Sequence, residues 1–79
     1  MEEKRKQIGN LIRQTRIERG LTQKATASML NMDRGNYSAI EGGRTNLSLD
    51  RFIKIVDTLE VSHTKILSIF KTRKVIELI

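Results

Sequence analysis

The sequence predicts an all-α fold. Proline is absent, strand-type alternation is scarce, and apolar residues recur at three- and four-residue spacing between recognisable caps and stops. Seventy-nine residues make one small domain with a thin core. Cysteine is absent, which removes disulfides and thiolate metal sites and suits a reducing cytoplasm. No apolar run reaches the roughly 18 residues of a membrane span, and "MEEKRKQIGN" lacks the apolar centre of a signal peptide. The net charge of +6 favours a polyanionic partner.

Ile8, Leu11, Ile12 and Thr15 fall at i, i+3, i+4 and i+7, giving a first helix one inward face, with Ile17 off it. Gly20 ends this helix, and Leu21 anchors a short connection to Thr22, the N-cap of a second. The capping box there is incomplete, because Ala25 stands where a glutamate would reach back. Helix two spans 23–30 with Ala27 and Leu30 inward. Asn31 tolerates the left-handed backbone of a sharp turn, Met32 lies inside that turn, and Asp33 caps a third helix whose Tyr37 and Ile40 face in. Gly42 and Gly43 stop it. Ser48 caps helix four, Asp50 complements its dipole, and Leu49, Phe52, Ile53, Val56 and Leu59 form its inward stripe. Ser62 caps helix five, where Ile66, Leu67 and Phe70 form the next. Met29 and Met32 read as core fillers, and Tyr37 as a core residue with its hydroxyl at the edge. The chain divides into a domain over 1–70 and a tail over 71–79, "KTRKVIELI", whose apolar residues fit a short strand or a second apolar face.

Helix three is the odd element. Gly35 sits in its first turn, where an exposed glycine costs about 1 kcal/mol relative to alanine. Arg34 and Asn36 beside it add no apolar compensation. Two short helices, a tight turn and an outward polar surface on the second make a helix-turn-helix, with Ala27 as the small residue at the crossing. A major groove admits one such helix.

The run "LTQKATASMLNMDRGNYSAIEGGRTNLSLDRFIKIVDTLEVS" resembles the Cro and phage-repressor (xenobiotic-response-element) family, from about Ile8 to Leu67. The marks are Arg16, "GLTQ" at 20–23, Ala27, Leu30, Ser38-Ala39-Ile40-Glu41, Gly43, Asn46 and the "SLDRFIKIVDTLEVS" helix. Thr26 departs from the family's usual leucine. The resemblance implies a compact five-helix, lambda-repressor-like domain that binds double-stranded DNA as a transcriptional regulator, most often a repressor. It implies groove-facing positions Arg34, Gly35, Asn36 and Ala39. Arg34 would grip guanine through O6 and N7, Asn36 would reach adenine or a phosphate, Gly35 would let the backbone approach, and Ala39 would meet a thymine methyl. Gln23, Thr22, Ser38, Arg44 and Asn46 are the implied phosphate contacts, which set register. Glu41 is expected to pair internally with Arg16, since an acid beside DNA phosphates is unfavourable.

Plainer readings stand beside these. Arg34 and Arg44 can be solvated charges, Gln23 a helix starter, and Asn36 a local hydrogen bonder near the cap. His63, the single histidine, follows a cap and has no catalytic or metal partner. No nucleophile–base pair, metal cluster or Gly-rich phosphate loop emerges, so neither catalysis nor a cofactor is expected. One recognition helix alone buries little, so a homodimer reading a palindrome is expected, paired through helix five and the tail. The alternative is an antitoxin-like module whose tail contacts a second protein, a toxin or another regulator, with DNA binding as autoregulation. A membrane surface suits "FKTRKVIELI" poorly, because nine residues after a capped helix make a weak anchor. RNA lacks exposed aromatic platforms to stack on.

Overall fold

Every expected cap is occupied in the computed structural model, which describes residues 2–70. Five helices follow in order: α1 (Glu2–Glu18), α2 (Gln23–Met29), α3 (Arg34–Glu41), α4 (Leu49–Leu59) and α5 (His63–Ile69). No strand occurs among the described residues. The Ser48 hydroxyl accepts from Arg51 N and that of Ser62 from Lys65 N, each tying off a free N–H at a helix start. Gly20, at φ +74°, turns the chain after α1. At the end of α4, Glu60 takes the left-handed conformation (φ 54°), and the Val61 N–H returns to the Val56 carbonyl at 3.0 Å. That tight reversal delivers Val61 into the core.

The core draws on every helix but the last. Ile12, Ala27, Leu30, Tyr37, Ile40, Ile55, Leu59 and Val61 are buried, and Ile8, Leu11, Leu21, Met32, Leu47, Val56 and Ile66 pack around them. Each fully buried large side chain contributes about 1.5–3 kcal/mol. Thr26 fits where a leucine was expected because its hydroxyl donates to the Thr22 carbonyl at 2.9 Å, so its complete burial leaves no polar atom stranded.

Three apolar assignments are corrected. In α4 the inward face is Ile55, Val56 and Leu59, with Phe52 half-buried beside it, whereas Leu49 and Ile53 are 71% and 49% exposed. The apolar arc of α4 is wider than the surface α1 and the core offer it, and packing chose the phase containing Ile55. In α5 only Ile66 packs against the core cluster, leaving Leu67 and Phe70 exposed. Met29 is exposed too, since α2 turns its Thr26–Ala27–Leu30 side inward. The expected tail, 71–79, lies outside the described residues.

Candidate nucleic-acid interface

The turn between α2 and α3 is held from both sides. Thr22 caps α2 by accepting from Ala25 N at 3.0 Å. At the other end, Asn31 adopts φ 56° and the Met32 N–H returns to the Ala27 carbonyl at 2.8 Å. Met32 thereby tucks against the core, and Asp33 arrives with extended backbone to cap α3. Its Oδ2 accepts from Gly35 N at 2.9 Å and Asn36 N at 3.3 Å. A Cβ on Gly35 would sit 3.0 Å from that same oxygen. A side chain at this position would crowd the capping carboxylate, which would have to shift by a few tenths of an ångström to keep its bonds.

Arg34, Gly35 and Asn36 form one exposed turn at the start of α3. Ser38 and Ala39 are half-buried one turn on. Asn36 and Ala39 border a depression of about 280 Å³ together with Thr45, Asn46, Ser48 and Arg51, so the outer face of α3 is continuous with the loop after it. Arg34 lies on the other flank, in the hollow between α2 and α3, beside Lys24, Ser28 and Asn31. Thr22, Arg44 and Asn46 are exposed. Gln23 is half-buried, and its Nε2 donates to Glu41 Oε1 at 2.9 Å. Sequence reading singled out neither Arg51 nor Lys24, because a lone base at a helix start has no periodic signature.

A family model for the helix-turn-helix domain matches residues 9–68. The chain belongs to the helix-turn-helix family. No curated protein and no solved structure matches it. Membership makes it a DNA-binding regulator by family, and domains of this kind are typically non-enzymatic. Among the described residues no group of His, Cys, Asp and Glu can hold a metal ion, and no helix is long and apolar enough to cross a membrane.

Behind the exposed face, the helix-turn-helix rests on a buried polar cluster. Arg16 of α1 holds Glu41, the last residue of α3, through Nε–Oε2 at 2.6 Å and Nη2–Oε1 at 3.3 Å. Its Nη1 donates to the Leu21 carbonyl at 2.7 Å, so one guanidinium joins the end of α3 to the entry of α2. Gln23 completes the carboxylate's shell. Burial alone would raise the Glu41 carboxyl, but the hydrogen bonds from Arg16 and Gln23 outweigh it and hold the group below its ordinary value. Tyr37 lies beside this pair and is wholly buried, its hydroxyl unbonded among the described residues rather than at the edge. Burial pushes that phenol far above its usual range.

Gly9, which sequence reading passed over, sets how closely α1 approaches α3. It is buried, and a Cβ there would meet the carbonyl oxygens of Ile40 and Glu41. Gly43 does the same for the loop: at φ +68° it presses on Lys6, whose Cα lies 2.8 Å from where a Cβ would stand. The only sequence signal for either was a glycine inside or just after a helical pattern.

Proposed function

We propose that the chain is a sequence-specific transcriptional regulator of the Cro and phage-repressor (xenobiotic-response-element) kind. It acts as a repressor in the cytoplasm and binds a palindromic operator as a homodimer. The domain over 1–70 reads DNA through the recognition helix 33–41, and the tail over 71–79 joins helix five in pairing. The observation that carries this reading is the first turn of α3. Arg34, Gly35 and Asn36 are exposed there, on a helix whose buried residues are Tyr37, Ile40 and Glu41.

In the major groove, Arg34 supplies a forked donor for guanine O6 and N7, worth about 1–3 kcal/mol of discrimination. Asn36 serves adenine or a phosphate, Gly35 lets the backbone come close, and Ala39 offers a methyl to thymine. Thr22, Gln23, Ser38, Arg44 and Asn46 contact the sugar–phosphate backbone and set register. The net charge of +6 supplies the sequence-independent attraction. Exposed Leu49, Ile53, Leu67 and Phe70 support pairing on the α4–α5 side. Two recognition helices about 34–36 Å apart then read the two half-sites.

Selection from a random duplex library tests this. A two-fold symmetric motif is expected, with affinity falling steeply in salt by about 0.9 log units per log unit of salt for each phosphate neutralised. Arg34→Ala is expected to relax one position in each half-site while leaving the melting temperature unchanged. No enriched motif, or full sequence preference retained by Arg34→Ala, would overturn the reading.

A further inference from the structure

Asn46 stands where two surface depressions meet. One is bordered by Asn36 and Ala39 of α3. The other is bordered by Lys4, Arg5 and Ile8 of α1, with Leu47, Leu49, Phe52 and Phe70. A long-range hydrogen bond runs between them: Arg5 Nη1 donates to Asn46 Oδ1 at 2.9 Å, joining residues 41 positions apart.

That bond fixes which way the amide points. A guanidinium carries only donors, so the Asn46 atom facing Arg5 must be the carbonyl oxygen. The Nδ2 group, with two donors, is thereby turned away from α1. Arg5 is itself anchored at a cost, because its Nε is buried without a hydrogen-bond partner among the described residues. Buried donors are rarely left unpaired without a reason. The close packing of Gly43 on Lys6 holds the loop and this turn of α1 in register.

We propose that Arg5 is a positioning residue for DNA binding: it holds Asn46 by its carbonyl oxygen so that the amide donors meet a backbone phosphate. The first turns of α1 thus extend the interface beyond the helix-turn-helix proper. This inference rests on the proposed function, since it needs a duplex on the α3 face.

A double-substitution cycle, read on the operator selected by the wild-type protein, tests it. Asn46→Ala and Arg5→Ala are each expected to weaken binding about tenfold, the effect of losing one hydrogen bond to a charged group. In the Asn46→Ala background, Arg5→Ala is expected to add less than about twofold, because the group it orients is already gone. Arg5→Lys, which still donates to the oxygen, is expected to restore part of the loss. Asn46→Asp is the control for folding. It keeps an acceptor for Arg5 but has no donor and adds an anion, so it is expected to bind more weakly than Asn46→Ala while melting no lower than wild type. An unchanged affinity for Arg5→Ala, or full additivity of the two losses, overturns the inference. So does Asn46→Asp binding as tightly as wild type. Failure of the wild-type protein to select any operator would instead sink the proposed function itself.

Discussion

The two ends of α3 and the two helices after it are finished differently. Around α1, α2 and α3 the interior is closed by a polar cluster, Arg16–Glu41–Gln23, that ties three helices together. On the α4–α5 side no such cluster is found among the described residues, and four large apolar side chains, Leu49, Ile53, Leu67 and Phe70, face outward. A buried ion pair is orientation-sensitive, whereas apolar contact is not. The first half therefore fixes the angle of α3, and the second supplies cohesion with apolar surface left over.

Breaking the cluster tests the contrast most severely. Arg16→Ala leaves Glu41 buried without its cation, and about 3–5 kcal/mol of stability is expected to go, enough to unfold much of so small a domain in a thermal melt. Replacing both Arg16 and Glu41 by apolar residues of similar volume is expected to recover most of that stability. A single Arg16→Ala variant that melts like wild type would contradict the role assigned to the pair.

Within α4 the comparison narrows to neighbours. Ile55→Ala empties a fully buried site and is expected to cost about 2–5 kcal/mol. Ile53→Ala, two residues away, is expected to change folding stability by less than about 0.5 kcal/mol and, on the proposed pairing, to weaken self-association. Equal destabilisation by the two would erase the distinction between a packed and a spare apolar face.

Gly9→Ala probes the spacing of α1 and α3, where its methyl would collide with the Ile40 and Glu41 carbonyls. A loss of about 1–3 kcal/mol is expected in chemical denaturation. Acid gives the gentlest test. Because Glu41 titrates below its ordinary value of 4.5 in the fold, its stabilising contribution is complete above the usual carboxylate range. It is lost as pH falls through the depressed value. Glu41→Gln is expected to flatten that acid limb of the stability curve. An unaltered limb would remove Glu41 from the account.

These contrasts explain what the sequence could reveal. Caps are local chemistry, so Thr22, Asp33, Ser48 and Ser62 were legible one residue at a time, and so was the left-handed Asn31. The Arg16–Glu41 pair was expected through family resemblance and is present. The phase of α4 was not legible, because an arc holding Leu49, Phe52, Ile53, Ile55, Val56 and Leu59 admits more than one inward face, and only tertiary packing chooses. Gln23 was expected to meet phosphate, and its bond to Glu41 depends on a contact 18 positions away. Arg5 lies in the charged run "EEKRK", where nothing separates a positioning side chain from a solvated one.

The first turn of α3 has one more consequence, which concerns how such proteins change. Arg34 and Asn36 carry none of the core, and exposed positions tolerate substitution within about 0.5 kcal/mol. Mutation at these two sites is nearly invisible to folding, so, on the proposed function, a lineage could drift from one address to another without passing through unstable intermediates. Gly35 is less free, since a Cβ there would stand 3.0 Å from the capping carboxylate of Asp33, which would have to give by a few tenths of an ångström. A library randomised at 34 and 36 alone would thus consist almost entirely of folded members, each free to be screened for a different target.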